Sequence, residues 1–114
     1  MKILIIKLGA LGDVVRTTVL LSELIGEIYW LSKTNAGDLL NSSKISRKYF
    51  IESNKDLSKL QGEDFDLVIS LDEEKEVLEI VKKIKTKRLI GVYLDSNENI
   101  NYTDLYSVRT RLKT

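Results

Sequence analysis

Cysteine, histidine and proline are all missing from these 114 residues. Without cysteine there is no disulfide, no thiolate nucleophile and no cysteine-ligated metal. Without histidine, any general base near neutral pH must be a carboxylate, or a lysine or tyrosine with a displaced pKa. A Ser-His-Asp triad and the usual catalytic zinc site are excluded as well. Charge of one sign is also lacking: 18 basic and 17 acidic residues leave a net +1. The two signs interleave, as in "DEEKEVLEIVKKIKTKR", so no one-signed field draws in nucleic acid or an anionic membrane. No apolar run nears the ~20 residues that span a bilayer. The first strand begins at once, without the features of a secretory leader, so a cytoplasmic location is expected.

What the chain does have is an alternation of short apolar runs with helical patterns. "ILII" (Ile3 to Ile6) is continuously apolar, as in a strand covered on both faces. In "VVRTTVLLSELI", Val14, Thr17, Thr18, Leu21 and Ile25 share one helical face, and Gly26 is the expected stop. "EIYWLS" (Glu27 to Ser32) predicts a second strand and "NAGDLLNSS" a helical turn with Asn35 as its cap. "KYFIES" (Lys48 to Ser53) predicts a third strand, followed by a short "DLSKL" helix. "FDLVISL" (Phe65 to Leu71) predicts a fourth strand and Glu73 to Lys85 a helix with an apolar stripe of Val77, Leu78, Ile80, Val81 and Ile84. Its glutamates lead and its lysines trail, as the helix dipole favours. "RLIGVYL" (Arg88 to Leu94) predicts a fifth strand, "DSNENIN" a loop, and "TDLYSVRTRLKT" the start of another helix. This is the pattern of an α/β fold with a mostly parallel sheet and helices on both faces.

In such a sheet the loop after the first strand opens on the crevice where ligands bind. Here that loop belongs to "KLGALGDVVRTT", Lys7 to Thr18. Gly9 and Gly12 allow a close approach by a ligand, and the amides opening the next helix attract anions. Neither standard phosphate motif fits. A dinucleotide fingerprint needs a third glycine, and Asp13 stands where a P-loop has its lysine. A carboxylate there can instead take a proton from a substrate hydroxyl, and with no histidine Asp13 is the leading base candidate. The plainer role, compatible with that one, is a helix N-cap.

"MKILIIKLGALGDVVRTTVLL" resembles the start of the heptosyltransferases of lipopolysaccharide synthesis, glycosyltransferase family nine, and "EIYWLSK" and "FDLVISLDEEKE" continue the resemblance. It implies the N-terminal, Rossmann-like half of a GT-B enzyme, spanning residues 1–114 and holding the acceptor. A second domain, absent from this sequence, would bind the nucleotide-sugar donor, typically ADP-heptose. Transfer would invert the anomeric centre with no metal and no other cofactor. Asp13 would deprotonate the acceptor hydroxyl as an oxocarbenium-like centre forms. Gly12 would bring backbone close to the sugars, and Thr17 and Thr18 would line the cleft floor. Val19 departs from the family's usual proline, and no dense basic cluster follows the second strand. The acceptor would therefore differ from that of the best-known members.

Several residues carry two readings. Asp72, at the junction of the fourth strand with its helix, either bonds acceptor hydroxyls or begins a capped acidic helix turn. Lys7 either reaches toward a phosphate or is a solvated strand end, and Arg16 either meets an anionic acceptor or faces water. Tyr29 and Trp30 are expected in the core. A magnesium-binding receiver domain would need adjacent acids after the first strand, where only Asp13 stands. The alternative of a different class is a stand-alone, non-catalytic nucleotide- or protein-binding α/β module. The enzyme reading expects the frame to run ~150–250 residues past Thr114, a second domain's worth. The expected partners are a nucleotide-sugar and a glycan or glycolipid acceptor, the latter bringing the enzyme to the inner membrane face.

Overall fold

A computed structural model of the chain describes residues 1–8, 26–34 and 45–103. Within them run β1 (Lys2–Ile6), β2 (Glu27–Ser32), β3 (Ile45–Phe50), α1 (Asn54–Gln61), β4 (Asp64–Phe65), β5 (Leu67–Ser70), α2 (Lys75–Lys82), β6 (Lys85–Thr86), β7 (Leu89–Leu94) and β8 (Ile100–Tyr102). Six strands form one sheet in the order β3-β2-β1-β5-β7-β8. All neighbours are parallel except β7 and β8, which are antiparallel. The expected α/β class with a mostly parallel sheet is what the chain adopts. β4 and β6 pair separately as a two-stranded parallel ribbon.

Strand alternation divides the core. Leu4, Ile6, Tyr29, Leu31, Tyr49 and Val68 face the side covered by α1 and α2, where Leu60, Val77, Leu78 and Val81 are buried against them. Ile3, Ile5, Ile28, Trp30, Leu67 and Ile69 form a second buried cluster on the opposite side. Both described helices thus lie on one face. The helices expected from Val14 to Ile25, around Asn35 and after Thr103 lie outside the described residues.

The third strand is Ile45–Phe50 rather than Lys48 to Ser53, because the next helix captures the residues after it. Ser53 caps α1 by accepting the Asp56 N–H at 3.2 Å, and the Asp56 carboxylate accepts the Phe50 N–H at 2.9 Å. The Ile51 N–H still donates to the Ser32 carbonyl at 2.9 Å, and beyond it Glu52 and Ser53 turn into the helix. The fourth run is likewise split at Asp66. The Asp66 N–H donates to the Lys2 carbonyl at 2.8 Å and its carboxylate accepts the Lys2 N–H at 2.7 Å. Phe65 is left in β4, and β5 covers only Leu67–Ser70.

The second helix, Lys75–Lys82, is shorter than the expected Glu73 to Lys85. It closes in a tight turn, with Lys83 and Ile84 N–H groups donating to the Ile80 and Val81 carbonyls at 3.0 and 3.1 Å. Lys85 then enters β6. The "DSNENIN" stretch is only partly a loop. Asp95 accepts the Asn97 and Asn99 N–H groups, each at 2.9 Å, in a side-chain-supported turn. The chain then returns as β8 from Ile100.

Two glycines are demanded by this packing. Gly91, inside β7, has φ +112°, and a Cβ there would sit 1.9 Å from the Ser70 carbonyl oxygen. Gly26, entering β2, has φ +132°, and a Cβ would sit 2.2 Å from the Met1 oxygen. That same oxygen accepts the Glu27 N–H at 2.8 Å.

Candidate functional site

β1 lies between β2 and β5, so the strand order turns from descending to ascending at β1. In open α/β sheets the crevice at the C-terminal ends of the strands flanking such a reversal is where ligands bind. The residues that emerge there are Lys7 and Leu8 after β1, Ser32 and Lys33 at the end of β2, and Ser70 to Asp72 at the end of β5.

The sheet ladder carries β1 to its last residues, with the Leu71 N–H donating to the Ile6 carbonyl at 2.9 Å and the Lys7 N–H to the Leu31 carbonyl at 3.3 Å. One peptide further, side chains replace backbone. The Leu8 N–H donates to Asp72 Oδ2. A continued parallel ladder would have used the Leu71 carbonyl, which instead faces the Lys7 ammonium at 3.4 Å. On the other side the Trp30 Nε1–H donates to the Lys7 carbonyl oxygen at 3.4 Å. The Lys7 carbonyl and the Leu8 N–H belong to one peptide unit, so that unit is held from both neighbouring strands.

Asp72 is 5% exposed, and a carboxylate that deep is retained by the donors it accepts from. It does not cap the helix that follows. Glu74 occupies that position, with no side-chain cap bond, and α2 opens three residues beyond Asp72. Glu73 and Glu74 are exposed. Lys7 is half-buried, and its ammonium donates to the Leu71 carbonyl. Tyr29 and Trp30 are core residues as expected, yet the buried indole also needs a partner for its N–H, and it takes one from the site. Ser70 adds an unusual feature: its hydroxyl is fully buried and has no hydrogen-bond partner among the described residues. Most buried hydroxyls are paired.

Of the residues singled out from sequence, the fold brings Lys7 and Asp72 to the same end of adjacent strands. Gly9, Gly12, Asp13, Arg16, Thr17 and Thr18 lie outside the described residues. The Trp30 indole and the Leu8 amide are the members that sequence reading missed. Trp30 carried the one usable signal, a polar N–H on a residue destined for the core.

An open depression of about 380 Å³ lies at the other end of the strands, lined by Asp64, Phe65, Asp66, Lys85, Thr86 and Lys87. Its acids and bases balance, and Asp66 pairs with Lys87 at 3.4 Å. Among the described residues, no group of acidic side chains is arranged to hold a metal ion, and no helix is long and apolar enough to cross a membrane. Comparison with protein-family models, with curated proteins and with solved structures finds no match.

Proposed function

We propose that the chain is the acceptor-side, Rossmann-like half of an inverting GT-B glycosyltransferase, resembling the ADP-heptose-dependent enzymes of lipopolysaccharide synthesis. One observation carries the reading. The segment with two glycines and an aspartate, Gly9 to Asp13, is separated by two residues from the end of β1, the strand at which the sheet order reverses. A ligand held in the crevice of such a sheet meets that segment first. Asp13 is the proposed base, since the sequence supplies no histidine for the task. Gly9 and Gly12 leave room for the acceptor, Thr17 and Thr18 line its floor, and the Lys7 ammonium offers a positive charge at the rim. The donor nucleotide-sugar belongs to a second domain. A glycolipid acceptor would bring the enzyme to the inner face of the cytoplasmic membrane.

The test is sugar transfer by the full-length protein across a panel of nucleotide-sugar donors, ADP-heptose among them, and glycan or glycolipid acceptors that includes a heptose-free lipopolysaccharide core. Asp13→Ala and Asp13→Asn should each lower kcat by about 10²–10⁴-fold. Near wild-type kcat in both reduces Asp13 to a helix cap. Absence of transfer and of released nucleotide with the unaltered protein across the whole panel refutes sugar transfer and leaves the non-catalytic binding module in its place.

A further inference from the structure

We propose that Asp72 is a positioning residue for the end of β1, acting with the Trp30 indole to lock the Lys7–Leu8 peptide plane. A trans peptide directs its C=O and N–H to opposite sides, here toward β2 and β5 respectively. Trp30 Nε1 holds the carbonyl at 3.4 Å and the Asp72 carboxylate holds the N–H. Rotation of this peptide would break both bonds and leave a buried carboxylate without that donor, a costly outcome at 5% exposure. Leu8 itself is buried, in the same core cluster as the α2 residues Val77, Leu78 and Val81, so its side chain also ties this point to the core. The chain therefore leaves the sheet toward Gly9 from a fixed peptide rather than from a fraying strand end.

Asp72 is poorly suited to contact substrate in the usual way, because a carboxylate this buried and already committed to an amide is not a free rim group. Its consequence for sugar transfer rests on the function proposed above; the geometric role does not. Buried Asp and Asn have the same shape, and the Asn carbonyl can still accept the Leu8 N–H. Alanine cannot.

Hydrogen exchange at the Leu8 amide, read by NMR on the 114-residue chain, tests the geometric role. Asp72→Ala should speed exchange at Leu8 about tenfold or more relative to the β1 amides of the same sample, Asp72→Asn should restore most of the protection, and Trp30→Phe should give a smaller loss. Exchange at Leu8 that is unchanged in Asp72→Ala overturns the proposal, as does an Asp72→Asn variant that folds yet exchanges like alanine. In the transfer assay, Asp72→Ala should lower kcat with acceptor KM unchanged, and Asp72→Asn should recover it. A raised acceptor KM at constant kcat would make Asp72 a substrate-binding group instead. Failure of the glycosyltransferase reading shows separately, as an unaltered enzyme that transfers nothing while the exchange pattern stands.

Discussion

Gly91→Ala should be among the most destabilising single-methyl additions the chain can suffer. The residue sits at φ +112° with the Ser70 carbonyl oxygen 1.9 Å from where a Cβ would go. Alanine in a positive-φ conformation costs about 1–3 kcal/mol. The contact adds to this, because a carbon and an oxygen normally stay above about 3 Å, and both atoms belong to paired central strands. Relief requires β7 to move off β5, an overpacking penalty of about 1–3 kcal/mol more. A loss of about 2–6 kcal/mol would consume much of the stability typical of a domain this size. Urea denaturation, followed by the fluorescence of the single tryptophan, measures it.

Two other glycines supply the scale. Gly62, just past α1, has φ −86°, and the atom nearest to an added Cβ is 3.6 Å away. Gly62→Ala should be neutral or gain up to about 1 kcal/mol through the unfolded state. Gly26→Ala should also be destabilising, because at φ +132° an added Cβ would sit 2.2 Å from the Met1 oxygen. The reasoning fails if Gly91→Ala costs under about 1 kcal/mol, or ranks with Gly62→Ala.

Ser70→Ala should leave stability unchanged or raise it by about 1 kcal/mol, since it removes a buried hydroxyl with no hydrogen-bond partner among the described residues; a loss of stability would reveal a partner for the hydroxyl. Asp66 should leave a mark on the acid limb of the stability curve. The Lys2 amide first, then the hydrogen bond and charge of Lys87, hold its carboxyl below the usual carboxylate range. A depressed folded-state pKa contributes stability above the unfolded value, and that contribution disappears as pH falls toward the folded one. Asp66→Asn should therefore be less stable than the unaltered chain at neutral pH, the gap closing below about pH 4. A gap that stays constant in urea titrations from neutral to acid pH would contradict the assignment.

The parts of this fold legible in sequence are those where burial on both faces writes continuous apolar runs. "ILII", "EIYWLS" and "RLIGVYL" give β1, β2 and β7 to within a residue. The edges are less legible. β3 carries exposed Ser46 and Arg47 in its first half, so the apolar signal drifts toward Phe50 and Ile51. β8 is three residues long and mostly exposed, and its antiparallel pairing depends on a turn built by Asp95. At the site, Asp72 reads from sequence as a helix opener because strand, aspartate and helix follow one another. Its real direction, back across the sheet to Leu8, is a tertiary fact that no local pattern encodes. The same is true of the bond from Trp30, whose partner lies 23 positions away.

That indole has a practical consequence. The chain contains one tryptophan, fully buried, with its N–H on the carbonyl of the peptide that leaves β1. Its emission is thus a built-in optical gauge wired to the rim of the crevice. A ligand that tugs on this peptide should shift the colour or intensity of an unlabelled sample, so candidate ligands can be screened in a cuvette.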